Sequence, residues 1–311
     1  MRDKPKLSIV LPVCNEEQSL PQLYLRLAAV LKELGLDYEI IFIDDGSHDA
    51  SWLELTKLHQ TDHRVKVLSF SRNFGHMAAL AAGLDQAAGD VVITMDADLQ
   101  HPPELIPQLL NEWEAGAEVV STLRQESRRA GYFKNLSARF FYWLLNRIAK
   151  INLPANAADF RLLDRKVVET LKTIKERSRF LRGLISWIGY QQAFVAYQAE
   201  PRFAGKTKYS FSRMFSFAID GITAFSAFPL RLATYLGLSI AFFSFIYIVY
   251  AIFVKLFTNN AMAGWASVLI VVLFIGGVQL IFLGIIGEYL SRVFDETKGR
   301  PFYIVAKKLG W

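Results

Sequence analysis

Residues 91–100 read VVITMDADLQ. The first five are apolar or β-branched and indicate a buried strand, and Asp96, Asp98 and Gln100 follow at its end. Carboxylate and amide oxygens suit Mg²⁺ or Mn²⁺, which bind few protein groups and complete their coordination with water and phosphate oxygens. An Asp-x-Asp pair also arises by chance or as a helix cap, but this one precedes a PPE helix start at 102–104. The stretch therefore predicts a site for a metal-bound diphosphate.

The first half of the chain alternates strand-like and helix-like segments. Strands are predicted at 7–13, 39–43, 65–70, 91–95 and 119–122, and helices at 18–33, 50–59, 77–88 and 104–114. Such alternation is typical of an α/β fold with a doubly wound, mostly parallel sheet. Ligands bind at the carboxyl ends of the strands in such sheets, and residues 96–100 are expected to lie there.

Two long apolar stretches lie in the last third of the chain. Residues 232–254 and 265–287 contain no Asp, Glu, Lys or Arg. Each exceeds the roughly 20 residues that a helix needs to cross about 30 Å of hydrocarbon. We predict two transmembrane helices rather than two buried helices of a soluble protein, so the chain is expected to be an integral protein of the inner or plasma membrane.

Positive charges predict the orientation of these two spans. The flanking basic residues are Arg202, Lys206, Lys208, Arg213 and Arg231 before them, and Arg292, Lys298, Arg300, Lys307 and Lys308 after them. The connection at 255–264 holds one Lys, so the positive-inside rule places both termini in the cytoplasm. The single cysteine, Cys14, excludes an internal disulfide and fits that compartment. The net charge of +6 gathers at the membrane entry points, which favours anionic lipid over nucleic acid as a partner.

Composition divides the chain into four parts. Residues 1–205 form the cytoplasmic α/β domain with an arginine-rich helix near 132–149, residues 206–228 form amphipathic juxtamembrane helices, residues 229–290 form the transmembrane hairpin, and residues 291–311 form a cytoplasmic tail. We expect the amphipathic segments to lie in the membrane interface, with packing on the α/β core as the alternative. Residues 301–305 are predicted to form a short strand that pairs with another subunit.

Three further strand ends carry polar motifs. Pro12, Asn15 and Glu16 close the first predicted strand, Asp44 and Asp45 the second, and Arg72 the third. Carboxylates at such ends commonly accept hydrogen bonds from a ribose or a base edge. The alternative role for Asn15 and Ser47 is helix capping. The five histidines show no metal-ligand spacing, and His101 is expected to form a local hydrogen bond.

Seven motifs together resemble one enzyme family. They are PVCNE at 12–16, DDGS at 44–47, RNFG at 72–75, DADLQ at 96–100, PPE at 102–104, DFRLL at 159–163 and RFAGKTK at 202–208. With the two spans, they make the chain similar to family-2 glycosyltransferases of the GT-A fold, in the group of dolichol-phosphate mannose synthases and bacterial polyprenyl-phosphate (bactoprenol) glucosyltransferases. The chain departs from the family pattern at Cys14, usually an aromatic residue, and at Thr207, usually a serine.

The resemblance implies which residues bind the donor. It assigns Asp45 to the nucleoside. The other residues of the nucleotide-binding set are Pro12, Asn15, Glu16, Asp44 and Arg72. It assigns Asp96, Asp98 and Gln100 to a Mg²⁺ or Mn²⁺ ion and the diphosphate. It assigns Arg202 and Lys208 to phosphate near the membrane.

The resemblance also implies that Asp98 and Asp159 are the catalytic residues. Asp159 would lie beside the attacking group. The acceptor is a lipid phosphate with a charge of about −1.5 to −2 at pH 7, which is already nucleophilic. Asp159 therefore either takes a proton or orients the acceptor, or it mainly anchors Arg161 and the fold.

The activity that this resemblance favours is inverting transfer of glucose from UDP-glucose to undecaprenyl phosphate. GDP-mannose or a UDP-aminoarabinose derivative is the alternative donor. A processive polysaccharide synthase fits less well because its Gln-x-x-Arg-Trp motif is absent, and an inactive membrane scaffold or transport subunit conflicts with the intact DADLQ motif. The expected partners are the nucleotide sugar, the polyprenyl phosphate, membrane lipids, further copies of this chain (a tetramer is one option) and a flippase.

Overall fold

The structure is a computed structural model. It describes residues 5–125, 147, 154, 156–174, 176, 180–198, 226–257 and 264–311. The chain divides into two compact units, Met1–Ala218 with Arg300–Trp311, and Ile219–Gly299. The first unit contains an α/β sheet and the second contains two long helices.

The described part of the first unit contains an eight-stranded mixed sheet. Its strands are β1 (Leu7–Val13), β2 (Tyr38–Asp44), β3 (Val65–Phe70), β4 (Val91–Thr94), β5 (Val119–Arg124), β6 (Ala157–Asp164), β7 (Gln192–Tyr197) and β8 (Val305–Leu309). They lie in the order β7-β5-β6-β4-β1-β2-β3-β8. Strands β1 to β4 are parallel to one another, whereas β6 and β8 run antiparallel to their neighbours. The predicted α/β class is therefore confirmed.

Helices of the same unit pack against this sheet. They are α1 (Leu20–Leu34), α2 (Ser51–Thr61), α3 (His76–Gln86), a 3₁₀ turn (Pro103–Leu105) leading into α4 (Ile106–Glu114), α5 (Arg165–Thr173) and α6 (Leu181–Trp187). The apolar residues of α1 recur every three or four positions, which gives one buried stripe. Helix α3 packs so closely on the sheet that a Cβ atom at Gly83 would meet the side chain of Val10. This close packing fixes the position of the N-terminal end of α3, where the site is found.

Strand order places the candidate site at a point where the chain changes direction across the sheet. The chain runs from β1 to β2 and β3 on one side, and β4 then pairs with the other side of β1. In doubly wound sheets the crevice at such a switch point binds the ligand. The loops after β1 and β4 flank this crevice.

One prediction about the tail is wrong. Residues 301–305 were expected to form a strand that pairs with another subunit, but the strand is Val305–Leu309, and it pairs antiparallel with β3 of the same chain. The edge of β3 accepts it because the remaining ladder groups of that strand need partners. The tail thereby completes the sheet of its own α/β unit.

The second unit contains the helices α7 (Phe228–Phe257) and α8 (Trp265–Thr297). Within the described residues, Phe228–Tyr247 and Phe274–Thr297 are long and apolar enough to cross a membrane, and neither segment is buried inside the protein. Large apolar side chains such as Phe243 and Leu280 are exposed along both helices. Exposed apolar surface of this extent is typical of helices that contact lipid.

Candidate active site

Hydrogen bonds join the loops that follow β1 and β2. The Asn15 backbone N–H donates to Ser47 Oγ at 3.0 Å, and the His48 N–H donates to Asn15 Oδ1 at 2.8 Å. Neither Asn15 nor Ser47 is the N-cap of a helix, because Ser19 precedes α1 and Ala50 precedes α2. The helix-capping alternative is therefore wrong, and the two side chains instead hold the two loops together.

The Asp44-Asp45 pair anchors the neighbouring loops. Asp44 accepts hydrogen bonds from the Ser47 N–H at 3.0 Å and from Ser69 Oγ at 2.8 Å. Asp45 accepts from the backbone N–H of Phe74 at 2.7 Å and of Gly75 at 3.0 Å. Both carboxylates are buried, and burial raises the pKa of Asp45. Asp45 therefore fixes the backbone of the loop after β3.

The remaining residues that were predicted to bind the nucleotide-sugar donor lie at the same edge of the sheet. Pro12 is buried near the end of β1, opposite Ile43 of β2. Glu16 accepts a hydrogen bond from Ser19 Oγ at 2.9 Å. Arg72 is exposed, and its guanidinium lies over the Phe74 ring, 4.1 Å from the ring centroid.

The loop after β4 has an unusual backbone. Leu99 has a φ of 65°, and the one other non-glycine residue with a positive φ in the described ranges is Asn15, at 58°. A positive φ is unfavourable for a branched residue such as leucine, and such strain is concentrated at functional sites. Asp98 Oδ1 accepts the Gln100 N–H at 3.1 Å, and the Asp96 N–H donates to Nδ1 of His101 at 2.9 Å. The local hydrogen bond predicted for His101 is thus present.

Asp159 lies in a buried cluster of charges beside this loop. Arg182 donates from Nε to Asp159 Oδ1 at 2.8 Å and from Nη2 to Oδ2 at 2.6 Å, and Arg161 Nη2 is 3.3 Å from Oδ1. Burial alone would raise the pKa of Asp159, but the two arginines and His76 outweigh it and hold the pKa well below its ordinary value. Burial lowers the pKa of Arg161 to about 10.

His76 joins the two parts of the site. Its Nε2 atom lies 3.5 Å from Asp96 Oδ1 and 3.6 Å from Asp159 Oδ2. Burial opposes protonation of this imidazole, but Asp159 and Asp96 raise its pKa above the ordinary value. The structure thus brings the carboxylate after β4 and the carboxylate of β6 to one histidine.

The sequence prediction missed His76 and Arg182. His76 directly follows the RNFG motif, residues 72–75, after β3, so its place at the same sheet edge was a usable signal. Arg182 lies on α6, and only tertiary packing brings it to Asp159. Arg202, Lys208, the helix near 132–149 and most of the segment 206–228 lie outside the described residues, so their predicted roles remain predictions.

The oxygen atoms at the end of β4 are suitable ligands for a divalent cation. Asp96 Oδ1 is buried and accepts no hydrogen bond among the described residues, and apart from the longer approach of His76 Nε2 at 3.5 Å this carboxylate oxygen is available as a ligand. Within the same ranges, no group of three or more His, Cys, Asp or Glu side chains is placed to hold a metal. A hard ion bound there would therefore depend on ligands from water or substrate, as Mg²⁺ commonly does.

Comparison with known proteins gives the family. Residues 8–172 match the model of glycosyl transferase family 2, and residues 228–293 match the GtrB C-terminal hairpin. The chain is 45% identical to an uncharacterized glycosyltransferase of Synechocystis over 98% of this chain and 96% of that protein. It is 43% identical to the SfII prophage-derived bactoprenol glucosyl transferase of Shigella flexneri, over 97% of this chain and 98% of that protein.

The fold also has a match among solved structures. Mannosyl-3-phosphoglycerate synthase from Rubrobacter xylanophilus aligns with a TM-score of 0.50 and 20% sequence identity, over 71% of this chain and 73% of that chain. At this identity the likeness concerns the fold alone. The family match covers more than half of the chain, and the relatives cover nearly all of it. The chain therefore belongs to glycosyl transferase family 2 and is a glycosyltransferase.

Proposed function

We propose that this protein transfers glucose, with inversion, from UDP-glucose to undecaprenyl phosphate at the cytoplasmic face of the membrane. The observation that carries the proposal is the nearly full-length similarity to the Shigella flexneri bactoprenol glucosyl transferase. The site geometry supports it, since carboxylates from the β2 and β4 ends lie at the ligand-binding edge of the sheet.

The donor nucleotide binds among the loops after β1, β2 and β3. Asp45 serves the nucleoside, and it also fixes the loop through the N–H groups of Phe74 and Gly75. Asn15 keeps the first loop against the second, and Arg72 contributes a positive charge at the loop surface. Pro12, Glu16 and Asp44 shape the same wall.

Asp96, Asp98 and Gln100 would hold a Mg²⁺ or Mn²⁺ ion at the diphosphate. Such an ion supplies positive charge where the departing nucleoside diphosphate becomes more negative. The available Asp96 oxygen and the strained Leu99 backbone support this assignment. His76 orients the Asp96 carboxylate from 3.5 Å.

In the reaction, a phosphate oxygen of the acceptor forms a bond to the anomeric carbon while the bond from that carbon to UDP breaks. The acceptor phosphate carries about −1.5 to −2 charges at pH 7, so it needs orientation more than it needs a base. The ion pair with Arg182 and the lowered pKa of Asp159 support a positioning role for this carboxylate. Arg202 and Lys208 bind phosphate near the membrane.

The hairpin anchors the enzyme with both termini in the cytoplasm. The chain leaves the α/β unit before α7, and it returns after α8 to form β8 in the same sheet. Two spans satisfy this connectivity because they return the chain to the side that it left. The α/β domain (1–205), the juxtamembrane segment (206–228), the hairpin (229–290) and the tail (291–311) would act in a homo-oligomer, a tetramer being one form, and a flippase would move the product across the bilayer.

A donor panel tests the proposed function. Purified full-length protein is incubated with Mn²⁺, undecaprenyl phosphate and radiolabelled UDP-glucose, GDP-mannose or a UDP-aminoarabinose derivative, and the lipids are then extracted. We expect label in the lipid phase with UDP-glucose. Label from GDP-mannose or from the aminoarabinose donor alone would replace the donor assignment, and transfer from none of them would favour the inactive scaffold.

A further inference from the structure

The segment Arg300–Trp311 lies against the donor loop that follows β3. Strand β8 pairs with β3, and the pairing continues beyond the strand end, where the Ser71 N–H donates to the Ile304 carbonyl at 3.0 Å. Ser71 directly precedes the RNFG motif and begins the loop 71–75 that follows β3. The tail is therefore bonded to the first residue of this loop.

Tyr303 contacts both the end of β3 and helix α3. Its ring stacks on Phe70, with the ring centroids 5.0 Å apart and the planes inclined by 18°. Its hydroxyl donates to Asp85 Oδ2 at 3.1 Å, near the C-terminal end of α3. Tyr303 thus links the end of β3 to the helix that carries His76 at its other end.

The contacts continue from Phe70 to the donor-binding carboxylate. Phe70 meets Phe74 edge to face, with centroids 5.7 Å apart. The backbone N–H of Phe74 donates to Asp45 at 2.7 Å, and the Arg72 guanidinium covers the Phe74 ring. One continuous series of contacts therefore runs from Tyr303 through two phenylalanines to Asp45.

The loop itself needs support from outside. Ser71, Arg72 and Asn73 are exposed, and the backbone of Arg72 and Asn73 is held on one side by its close approach to Gly46. Ordering such a loop when a ligand binds costs affinity, and a loop that is already ordered avoids that cost. The tail contributes order at the start of the loop, and Asp45 contributes order at its end.

We propose that Arg300–Trp311 preorganises the loop 71–75 for the nucleotide donor, and that Tyr303 is a positioning residue acting through Phe70 and Phe74. This inference rests on the proposed function, because it takes residues 71–75 as part of the donor site. Tyr303 raises the affinity for the donor without touching it. Asp159, on the acceptor side of the site, is held mainly by Arg182 and Arg161, which are not part of this series of contacts.

The test compares Tyr303→Ala with Tyr303→Phe in the full-length protein in nanodiscs. The Kd of UDP is measured by titration calorimetry with Mn²⁺, and the KM values of donor and acceptor are measured by lipid extraction. We expect Tyr303→Ala to raise the UDP Kd and the donor KM on the order of three- to tenfold, the range that loss of an aromatic pair gives. The acceptor KM and kcat should stay within about twofold. Tyr303→Phe should restore most of the affinity because it keeps the ring.

Lys307→Ala is the matched control. Lys307 is on β8, four residues after Tyr303, and its ammonium lies 4.9 Å from the Trp52 ring on α2, outside the series of contacts that runs from Tyr303 to Asp45. We expect its Kd and KM values to equal those of the wild type. If Tyr303→Ala lowers the unfolding midpoint by more than about 5 °C, Tyr303→Leu, which keeps more of the buried volume, decides the matter instead.

Two results would overturn the inference. One is an unchanged UDP Kd in the folded variant that lacks the ring, and the other is an equal rise in Lys307→Ala. Failure of the proposed function looks different, because the wild type itself would then transfer no glucose to the lipid. The wild-type transfer assay is therefore run beside the binding series.

Discussion

Arg182 binds both carboxylate oxygens of Asp159 in a two-pronged ion pair, at 2.8 Å and 2.6 Å. Arg161 approaches the same carboxylate to 3.3 Å, and the Asp159 side chain is 8% exposed. An aspartate held in this way stays ionised through the neutral pH range, because protonation would break both charge-assisted bonds. It is therefore suited to holding other groups in place.

Replacing Asp159 with Asn should destabilise the protein and slow transfer. The variant removes the negative charge that lies between Arg161 and Arg182, and breaking a buried ion pair in this way costs about 3–5 kcal/mol. Because the pKa of Asp159 is lowered on folding, its stabilising effect is present above about pH 4 and is lost as the pH falls further. Denaturant unfolding in detergent at pH 7 and pH 3 would measure this, with a smaller difference between wild type and variant at pH 3.

A solvent isotope effect distinguishes positioning from general-base catalysis, because Asp159 is ionised throughout pH 5 to pH 8 and its loss would lower kcat by a constant factor in either role. If Asp159 positions the acceptor, the wild-type kcat should show no solvent deuterium isotope effect. An isotope effect that disappears in Asp159→Asn would show that Asp159 takes a proton. Asp164→Asn is the matched control, since Asp164 ends the same strand but bonds to Trp113 and to the N-terminus of α5.

Gly46→Ala should weaken binding of the nucleotide donor more than Gly116→Ala does, although both glycines have a positive φ. Gly46 has a φ of +64°, and an added Cβ would lie 2.5 Å from the Arg72 carbonyl carbon and 2.6 Å from the Asn73 nitrogen. The loop after β3 must move to admit it, which strains the hydrogen bonds to Asp45. We expect a rise in donor KM of about tenfold, corresponding to about 1.4 kcal/mol.

Gly116→Ala separates backbone strain from this collision. Gly116 has a φ of +112°, but nothing lies within 4 Å of an added Cβ. We expect a loss of stability of about 1–2 kcal/mol without a change in donor KM. Equal donor KM values for the two variants would contradict a donor role for the loop.

Sequence patterns predicted the strands correctly where the strands are buried. The runs of β1 and β3 match the predicted strands residue for residue, because both strands are largely buried and rich in β-branched or apolar residues. Strand β8 was misplaced because its residues, VAKKL, are mostly exposed on the sheet edge and carry two lysines. Lys307 and Lys308 lie over Trp52 and Trp311, contacts that only the folded chain creates.

The candidate site could be predicted in part for the same reason. Asp45 and Asp96 follow buried strands, so topology alone brings them to one edge. The role of Asp45 in holding Phe74 and Gly75 depends on backbone geometry that no residue pattern encodes. Arg182 lies on a helix 23 positions after Asp159, so no local sequence motif indicates that the two residues form an ion pair.

His76→Ala should lower kcat by roughly 10- to 100-fold, the range seen when a group that orients a metal-binding carboxylate is removed. Nε2 of His76 lies within 3.6 Å of both Asp96 and Asp159, so its loss removes a contact from both carboxylates, while Asp159 keeps its ion pair with Arg182. Steady-state kinetics with UDP-glucose and undecaprenyl phosphate would measure the effect. His63→Ala serves as the control and should keep full activity, because His63 is exposed and precedes β3, at the opposite end of the strand from His76. Full activity in His76→Ala would remove this histidine from the site.

Chelation should abolish transfer, and added Mn²⁺ or Mg²⁺ should restore it. Asp98→Ala should lose more than about a hundredfold in kcat, because a ligand at the developing charge is removed while the fold remains. Asp90→Ala is the matched control, since Asp90 precedes β4 at the opposite edge of the sheet and accepts the Lys6 N–H at 2.8 Å. Circular dichroism would confirm that both variants are folded. Transfer at the normal rate in EDTA would exclude the metal role.

Cysteine labelling should show that the segment between α7 and α8 lies outside the cell. In a Cys14→Ser background, Asn260→Cys lies between α7 and α8, and Lys298→Cys directly follows α8. The basic residues after α8 favour the cytoplasm, and β8 returns the chain to the α/β sheet. We expect an impermeant maleimide to label Asn260→Cys in intact cells and to label Lys298→Cys only after lysis. The reverse pattern would place the catalytic unit outside, where a cytoplasmic nucleotide sugar could not reach it.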